Sequence, residues 1–301
     1  MAVLSPDLVY NVLLRLPVKS LLRLRYLSKY SCSEIDSADF VKNHLKRSVQ
    51  SKASQKLIVN SAADSQFYFA GFDDDLQHTF PLNNPMRFYC FFTWVCGSCN
   101  GLILLGIGIY QNTMNLTIWN PFTRRYKIIL LSPALTRNLV AYGLGYDSAH
   151  DDYEIVLIST FNNVSSLVWV FSLKSNSWRC SQVLADEPSS SEGYYANGAL
   201  YWAIRDPFKS KFFGFDLTNE VFFDLPRLPD CGPETVCFYD IMVLGCDVYT
   251  QTMHVTSENL EFYMLVSDKG REVASGNWRK EFTVKGEEII MKHIFPPFPL
   301  A

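Results

Sequence analysis

The chain has 301 residues, of which 48% are hydrophobic and 15% aromatic, so we expect a sizeable core and exclude wholesale disorder. The net charge of −3 is unevenly distributed: residues 1–50 carry eight Lys/Arg and four Asp/Glu, whereas the remainder carries 19 and 26. A basic head of +4 on an acidic body of −7 indicates two modules with different partners. The head is too apolar to be a nucleic-acid-binding arm, so no nucleic-acid partner is expected.

The apolar stretch at residues 6–30 is not expected to enter a membrane or to direct export. No run in it reaches the ~18 uncharged apolar residues that a membrane span needs. Asp7 and Arg15 interrupt it and no small-residue cleavage site follows, which is unlike a signal peptide. We therefore expect no membrane partner, a cytoplasmic and/or nuclear location, and reduced cysteines.

A first helix is predicted to begin at the Ser-Pro-Asp stretch of residues 5–7, which offers a cap, a proline suited to the first turn and an acid for the positive end of the helix dipole. Leu8, Val12 and Leu16 then recur at i, i+4 and i+8, which is one face of a helix. Pro17 ends this helix because it has no N–H to donate.

Two further helical elements are expected before residue 48. The second contains Leu21 and Leu24 with basic residues interleaved, and a third short element contains Phe40 and Leu45. Three short helices cannot bury this much apolar surface among themselves. Either the head packs on the body of its own chain or a partner covers it, and the residues alone leave both open.

The head also carries a family pattern. The sequence RLPVKSLLR at residues 15–23, with Pro-Asp-Leu at 6–8 and Asp-Phe at 39–40, resembles the F-box of plant proteins. That family implies binding to a Skp-type adaptor, which connects the protein to a cullin ubiquitin ligase. Carried over by position, the adaptor-binding residues would be Pro6, Leu8, Val12, Leu13, Leu16, Pro17 and Leu21.

The head departs from the F-box pattern at two places. Ser5 replaces the leucine that usually precedes Pro6, and residues 30–32 replace the tryptophan usual near the end of the motif. Both departures are expected to weaken the adaptor contact or the packing of the head.

The body contains an internal repeat. Four stretches share the order apolar strand, polar turn, apolar strand, and each follows another predicted strand pair; the four stretches are residues 116–130, 168–180, 212–225 and 260–284. Their matching aromatic residues, spaced 52, 44 and 48 residues apart, are Trp119, Phe171, Phe215 and Tyr263. Four strands in a period of ~40–50 residues are typical of a β-propeller blade, and the aromatic residues are expected to pack between blades. A β-sandwich is the alternative, although it needs no regular period.

The same stretches resemble the F-box-associated domain of plant F-box proteins. The resemblance rests on NPFTR at 120–124, YGLGYD at 142–147, SLK with SWR between 172 and 179, and NGAL with Trp202 from 197. It implies a body that recruits a protein substrate. Within the family the constitutive-expresser-of-defence-genes type, which controls immune receptor levels, is nearest, and the S-locus pollen type has a similar body.

Closure of the predicted ring is expected to be incomplete. Residues 56–72 supply strands ahead of the first full repeat, and in a ring these would pair with strands from the end of the chain. After Val284 only residues 288–295 form a candidate strand before three prolines, so an exposed edge or a truncated product is expected. The predicted fold class is α+β by segments: a three-helix F-box at 1–48, an all-β propeller-like domain at 55–285 and a tail at 286–301.

No catalytic constellation is found in the sequence. Nucleophile-elbow, zinc-protease, phosphate-loop and dinucleotide motifs are all missing. The C-x-x-C pair at 96–99 has no second pair at a zinc-like distance, so a turn between strands is favoured over a metal or redox site. The acidic runs at 73–75 and 151–152 are interpreted as solvated turns rather than cation sites. We expect no cofactor and no bound metal.

The favoured function is a non-enzymatic substrate receptor of a cullin-based ubiquitin ligase. One alternative is a pseudo-receptor that binds the adaptor but holds no substrate. Another is a propeller enzyme whose carboxylates converge on the central channel.

Overall fold

The computed structural model describes most of the head and the strands of the body. The described residues are 5–50, 56–61, 66–71, 79–86, 92–109, 113–132, 135, 139–161, 165–184, 191–204, 211–228, 235–244, 246–254, 260–266 and 277–284. Helices occupy the first range and strands occupy the ranges from residue 56 onward. The predicted fold class, a helical head followed by an all-β body, is confirmed.

Four helices form the head: α1 (Pro6–Leu13), α2 (Val18–Leu24), α3 (Lys29–Ile35) and α4 (Ala38–Gln50). The sequence pattern predicts three helices and not α3, because α3 has a single buried residue, Ile35, and therefore shows no apolar period. Ser28 begins α3 by accepting a hydrogen bond from the backbone N–H of Ser31 at 3.0 Å. Within the described residues, no helix has both the length and the apolar character to cross a bilayer.

The body consists of one three-stranded sheet and four four-stranded units. The leading sheet contains β1 (Lys56–Ser61), β2 (Gln66–Gly71) and β3 (Thr79–Pro81). Blade 1 contains β4 (Phe92–Cys99), β5 (Leu102–Ile109), β6 (Thr113–Asn120) and β7 (Arg125–Ile129). Blade 2 contains β8 (Leu139–Asp147), β9 (Asp152–Phe161), β10 (Ser165–Ser172) and β11 (Ser177–Leu184).

The last two blades follow the same order. Blade 3 contains β12 (Glu192–Ala196), β13 (Ala199–Ile204), β14 (Lys211–Asp216) and β15 (Val221–Asp224). Blade 4 contains β16 (Thr235–Leu244), β17 (Asp247–His254), β18 (Leu260–Val266) and β19 (Asn277–Val284). Within each blade the strands pair antiparallel in chain order, so all four predicted repeats are confirmed as the third and fourth strands of a blade.

The tight turns of the blades repeat one backbone conformation. The third and fourth strands of blades 1 to 3 are joined by four-residue turns whose last residue has a positive φ, at Arg124, Asn176 and Glu220. The first two strands of blade 3 are joined at Asn197 and Gly198, with φ of 49° and 84°. The predicted Asn-Gly hairpin turn is therefore confirmed, since both residues tolerate positive φ.

The first strands of neighbouring blades lie side by side. β8 pairs in parallel with β12 through Gly143 and Gly193, which joins blades 2 and 3 into one eight-stranded sheet. A Cβ added at Gly143 would lie 2.9 Å from a methyl group of Leu200, and one added at Gly193 would lie 2.4 Å from the indole of Trp202. Glycine at these positions therefore allows side chains of blade 3 to pack against the inner strands.

Each repeated aromatic residue packs against the blade that precedes its own. Trp119 of blade 1 lies in one core cluster with Phe67 and Phe69 of the leading sheet. Phe215 of blade 3 likewise lies with Val168 of blade 2. Phe171 and Tyr263 pack in the same way against blades 1 and 3. The predicted inter-blade role of these residues is confirmed.

The described residues leave the ends of the series unpaired with each other. The core clusters join the leading sheet and blades 1 to 4 in chain order, and no cluster among the described residues joins β16–β19 to β1–β3. The candidate strand at 288–295 and the tail at 286–301 lie outside those residues.

Removing one inter-blade aromatic ring should strongly destabilise the body. Phe215 is fully buried, so Phe215→Ala loses both its burial energy and the packing around it, and we expect a loss of about 3–5 kcal/mol in the free energy of unfolding. Urea unfolding of the full chain measures this. Phe80→Ala is the matched control because Phe80 is mostly exposed, and a comparable loss there would contradict the expectation.

Candidate functional site

A small apolar core holds the head together. One buried residue comes from each helix: Leu13, Leu21, Ile35 and Phe40. Half-buried side chains from α1, α2 and the segment between them pack around this core. The head therefore has a core of its own, and its remaining apolar residues are left for the surface.

Contacts of α4 fix the orientation of α1. The rings of Tyr10 and Phe40 meet edge to face with centroids 5.6 Å apart, and Asn43 donates to the Tyr10 hydroxyl at 3.0 Å. A ring nitrogen of His44 lies 2.9 Å from the carbonyl oxygen of Leu16, just after α1. These contacts hold one side of α1 against α4, so its opposite side is presented in a defined direction.

The seven predicted adaptor-binding residues divide between surface and core. Leu13 and Leu21 are only 5% and 4% exposed and belong to the core of the head. Leu16 is half-buried. The four exposed members are Pro6, Leu8, Val12 and Pro17. The structure therefore separates residues that a partner could touch from residues that support them, which the sequence pattern does not do.

An exposed apolar surface remains on the head. Leu8 and Val12 lie one helical turn apart on α1 and are each 56% exposed. Tyr26, Leu27 and Tyr30, around the connection between α2 and α3, are also exposed. The sequence pattern predicts no surface role for these three residues. A signal was available for two of them, because Tyr26 and Tyr30 fall outside the apolar spacing of Leu21 and Leu24. Leu8 and Val12, as neighbours on one helix face, are therefore the candidate interaction residues of the head.

Ser5 has a structural role at its departure from the F-box pattern. It takes an extended conformation before α1, and its hydroxyl accepts a hydrogen bond from the backbone N–H of Leu8 at 3.4 Å. A leucine at this position could not cap the helix. Ser5 thus supplies an N-cap, and α1 begins at Pro6.

In the body, one arginine joins blade 2 to blade 3. Arg179 of β11 donates through Nη2 to Oε1 of Glu154 on β9 at 2.6 Å and through Nε to Oε1 of Glu220 at 2.7 Å. Glu220 lies in the turn between β14 and β15, so the guanidinium bridges the blades. Burial raises the pKa of the Glu154 carboxyl, and the hydrogen bond from Arg179 only partly offsets this.

A second carboxylate beside this bridge is held by hydrogen-bond donors. Asp147 accepts from the hydroxyl of Thr218 at 2.7 Å, the backbone N–H of Ala149 at 2.9 Å and Nδ1 of His150 at 2.5 Å. Burial would raise its pKa, but these hydrogen bonds outweigh burial and lower it. Together these side chains line a cleft of about 300 Å³ between blades 2 and 3 that is crossed by internal ion pairs.

Of the acidic pair at 151–152, only Asp151 lies in an exposed turn as predicted, whereas Asp152 is the first residue of β9 and is buried, so the prediction of a solvated turn is wrong for it. Asp151 accepts from the Tyr146 hydroxyl at 2.5 Å and pairs with Lys42 of α4 at 2.9 Å. Asp152 accepts from the backbone N–H of Lys174 at 2.9 Å. Both carboxylates are thus held by donors of the protein itself. The acidic run at 73–75 lies outside the described residues.

The C-x-x-C pair lies in a strand and not in a turn, so that interpretation is wrong. Cys96 and Cys99 are buried free thiols of β4, and the turn follows at Asn100–Gly101. Burial raises the pKa of both thiols. No group of three potential metal ligands is found in the part of the chain that the structure describes. The two cysteines therefore act as small apolar residues of the blade 1–blade 2 core.

Removing the bridging arginine should destabilise the body. Arg179→Ala leaves the buried Glu154 carboxylate without its partner, and we expect a loss of about 1–3 kcal/mol in the free energy of unfolding at pH 7, the lower part of the range reflecting the partial exposure of Arg179. The matched control is Arg124→Ala, which breaks no ion pair among the described residues. Equal losses in the two variants would contradict a bridging role.

The loss in Arg179→Ala should also depend on pH. Because folding raises the pKa of the Glu154 carboxyl, this group binds a proton more readily in the folded than in the unfolded chain. Its destabilising effect on the folded chain therefore falls as the pH decreases toward 4.5, the ordinary pKa of a glutamate. We expect the difference in melting temperature between wild type and Arg179→Ala to be smaller at pH 5 than at pH 7. Adding Glu154→Gln should restore part of the stability at pH 7 and remove this pH dependence.

Comparisons with known proteins agree with both halves of the structure. Residues 83–280 match the family model described as the F-box associated beta propeller domain, and residues 2–43 match the F-box domain. F-box protein CPR1 of Arabidopsis thaliana is 32% identical over 266 residues, which is 76% of this chain and 61% of that protein. F-box protein At4g22390 of the same plant is 33% identical over 193 residues, 60% of this chain and 46% of that protein.

This chain thus spans about half to three fifths of the length of these two curated relatives. Among solved structures, TolB from Acinetobacter baumannii is 9% identical, covers 83% of this chain and 68% of its own, and has a TM-score of 0.42, a likeness that carries no argument. The family model, in contrast, covers more than half of the chain and includes all the strands of blades 1 to 3. The chain therefore belongs to the plant F-box proteins that carry an F-box-associated β-propeller domain.

Proposed function

We propose that this protein is the substrate-recognition subunit of an SCF-type (Skp–cullin–F-box) ubiquitin ligase and recruits a protein target for ubiquitination and degradation. The observation that carries the proposal is the exposed apolar side of α1, where Leu8 and Val12 stand on a head that already has a core of its own. Membership of the F-box family supports a Skp-type adaptor as the partner of this surface.

The head is proposed to bind the adaptor through its exposed residues. Pro6, Leu8, Val12 and Pro17 would form the contact, with half-buried Leu16 at its margin. Leu13 and Leu21 would act from within the head by holding α1 and α2 together. Full burial of one leucine or valine side chain contributes about 1.5–3 kcal/mol, so Leu8 and Val12 together could supply a large part of a specific interface.

The body is proposed to hold the target while partner proteins carry out ligation. Binding would place a lysine of the target near a charged ubiquitin carrier and raise its effective concentration, with no catalytic group required from this chain. The head at 1–48 and the body at 55–285 would then act as separate units. The rigid packing between blades supports this role, since it fixes the surface that meets the target.

The adaptor contact can be tested with substitutions that leave the core intact. In the double variant Leu8→Asp/Val12→Asp, two exposed apolar residues become charged, so the head should fold while the apolar contact is lost. We expect co-expression of the full chain with a plant Skp adaptor, followed by pull-down and size-exclusion chromatography, to give a one-to-one complex for wild type. The double variant should bind at least about a hundredfold more weakly, which corresponds to about 2.8 kcal/mol.

Val183→Asp is the matched control, because it adds a charge at an exposed apolar position of β11 and should leave the complex intact. Substitution of Leu13 would be uninformative because it would disrupt the core of the head. Circular dichroism checks that the double variant is folded. A folded wild-type chain that forms no complex, or a double variant that binds as well as wild type, would contradict the proposal.

A further inference from the structure

The outermost strand of blade 1 offers an unpaired edge. β7 pairs with β6 on one side, and within the described ranges no strand pairs with its other side. The backbone N–H and C=O groups along such an edge can accept another strand. Natural edge strands are usually protected, so the side chains of β7 decide whether this edge is protected or available.

Apolar side chains line one side of this edge. Tyr126, Ile128 and the following Leu130 alternate along the chain and are 49%, 47% and 74% exposed. Alternate residues of a strand point to the same side of the sheet. Three large apolar side chains in a row on an open edge are what an interaction strand needs and what a protected edge avoids.

Among blades 1 to 3, this arrangement occurs only in blade 1. Tyr126 pairs with Trp119 as Trp178 pairs with Phe171 and Phe222 with Phe215, but Trp178 and Phe222 are half-buried and join inter-blade clusters. At the next position along the edge, the residue of blade 1 is Ile128, whereas blades 2 and 3 have Cys180 and Asp224. Among these three blades, this backbone position thus carries a large apolar side chain only on β7.

Cations occupy two of the other positions of β7, Arg125 and Lys127, and Arg124 precedes the strand in the turn. Arg124 and Arg125 are exposed and Lys127 is half-buried, and no carboxylate of the described residues forms an ion pair with any of them. Lys127 lies 5.7 Å over the ring of Phe171. Arg179 of the equivalent strand in blade 2, in contrast, pairs with two glutamates. Three cations that form no ion pair among the described residues, on a body of net charge −7, form a local site for negative charge.

We propose that β7 is the docking strand for an extended segment of a partner protein in which apolar and acidic residues alternate. The segment would add to blade 1 as a fifth strand, with its backbone pairing to the open edge. Its apolar side chains would lie beside Tyr126, Ile128 and Leu130, and its acidic side chains beside Arg125 and Lys127. This inference rests on the proposed function and deepens it, because it names the kind of target segment that the body recruits.

A second copy of this chain is a less suitable occupant. If two β7 strands paired, Arg125 and Lys127 of one copy would meet the same cations of the other. Like charges across neighbouring strands are destabilising. Charge complementarity therefore favours an acidic partner over self-association.

The test measures binding of a defined peptide to the full chain. A short fluorescein-labelled peptide in which leucine or valine alternates with aspartate or glutamate is titrated with the protein, and fluorescence polarisation reports binding. A second peptide of the same composition, with its acidic residues grouped at one end, tests whether alternation is needed. We expect saturable binding of the alternating peptide, and binding of the grouped peptide about tenfold weaker or more. Added salt should weaken the interaction, since exposed charges are screened.

Two variants locate the binding strand. Ile128→Lys should lower the affinity for the alternating peptide about tenfold or more, whereas Val183→Lys, at an exposed apolar position of β11, should leave it unchanged. Arg125→Glu/Lys127→Glu should lose the acidic peptide and gain a counterpart in which lysine replaces the acidic residues. All substituted positions are at least partly exposed, and an unchanged melting temperature verifies folding.

Several outcomes would overturn the proposal. The proposal fails if the alternating peptide shows no saturable binding, if the grouped peptide binds as tightly as the alternating one, or if Ile128→Lys binds the alternating peptide as tightly as wild type does. A dimer of wild type that Ile128→Lys abolishes would make a second copy the occupant. Binding that appears only after Asp73, Asp74 and Asp75 are changed to asparagine would make the chain's own acidic run the occupant. The adaptor complex of the head is a separate measurement, so failure here and failure of the proposed function are distinguishable.

Discussion

The body depends on one repeated contact, in which an aromatic side chain of the third strand of a blade is buried against the preceding blade. Blades 1 to 4 all have it, at Trp119, Phe171, Phe215 and Tyr263. A single four-stranded sheet cannot bury both of its faces, so each blade is stable only next to another. The contact also fixes the relative position of neighbouring blades, which allows Arg179 of one blade to reach Glu220 of the next. A partly exposed ion pair contributes little by itself, and this one forms only if the apolar packing has already placed its partners.

The head has a different requirement from the body, because it must fold while some of its apolar side chains stay exposed. Its short helices bury some apolar side chains in the core and leave others exposed. On α1, Leu13 packs in the core while Leu8 and Val12 remain exposed. The contacts of α4 with Tyr10 and Leu16 fix the rotation of α1 about its own axis. Ser5 contributes by capping α1. A domain of this size has little stability to spare, so a few such contacts decide whether its binding surface is preorganised.

Much of this fold could be predicted from the sequence, because strand alternation, turn residues and a fixed period are local signals. All four repeated hairpins and their aromatic residues were found in that way. Helix α3 was missed because a single buried residue, Ile35, gives no period. The division of Leu13 from Leu8 could not be predicted either, since both are leucines in one apolar pattern and only the packing of α4 separates them. The C-x-x-C spacing of Cys96 and Cys99 is compatible with both a turn and a bulged strand, so the sequence does not decide between them. The bulge near Gly97 depends on strand pairing, which the local sequence does not show.

In a repeat protein, equivalent positions of different blades can be compared to show which residue type the fold requires there. Positions that serve only the fold should carry similar residues in every blade, as the inter-blade aromatic residues do. Where one blade departs from the others without a structural reason, selection for another purpose is the simpler explanation. Tyr126 and Ile128 depart in this sense, because exposed apolar residues on an edge strand invite aggregation and contribute little to folding. Since Arg125 and Lys127 also form no ion pair among the described residues, the departure has a consistent chemistry: an edge complementary to a segment that is apolar on one side and acidic on the other.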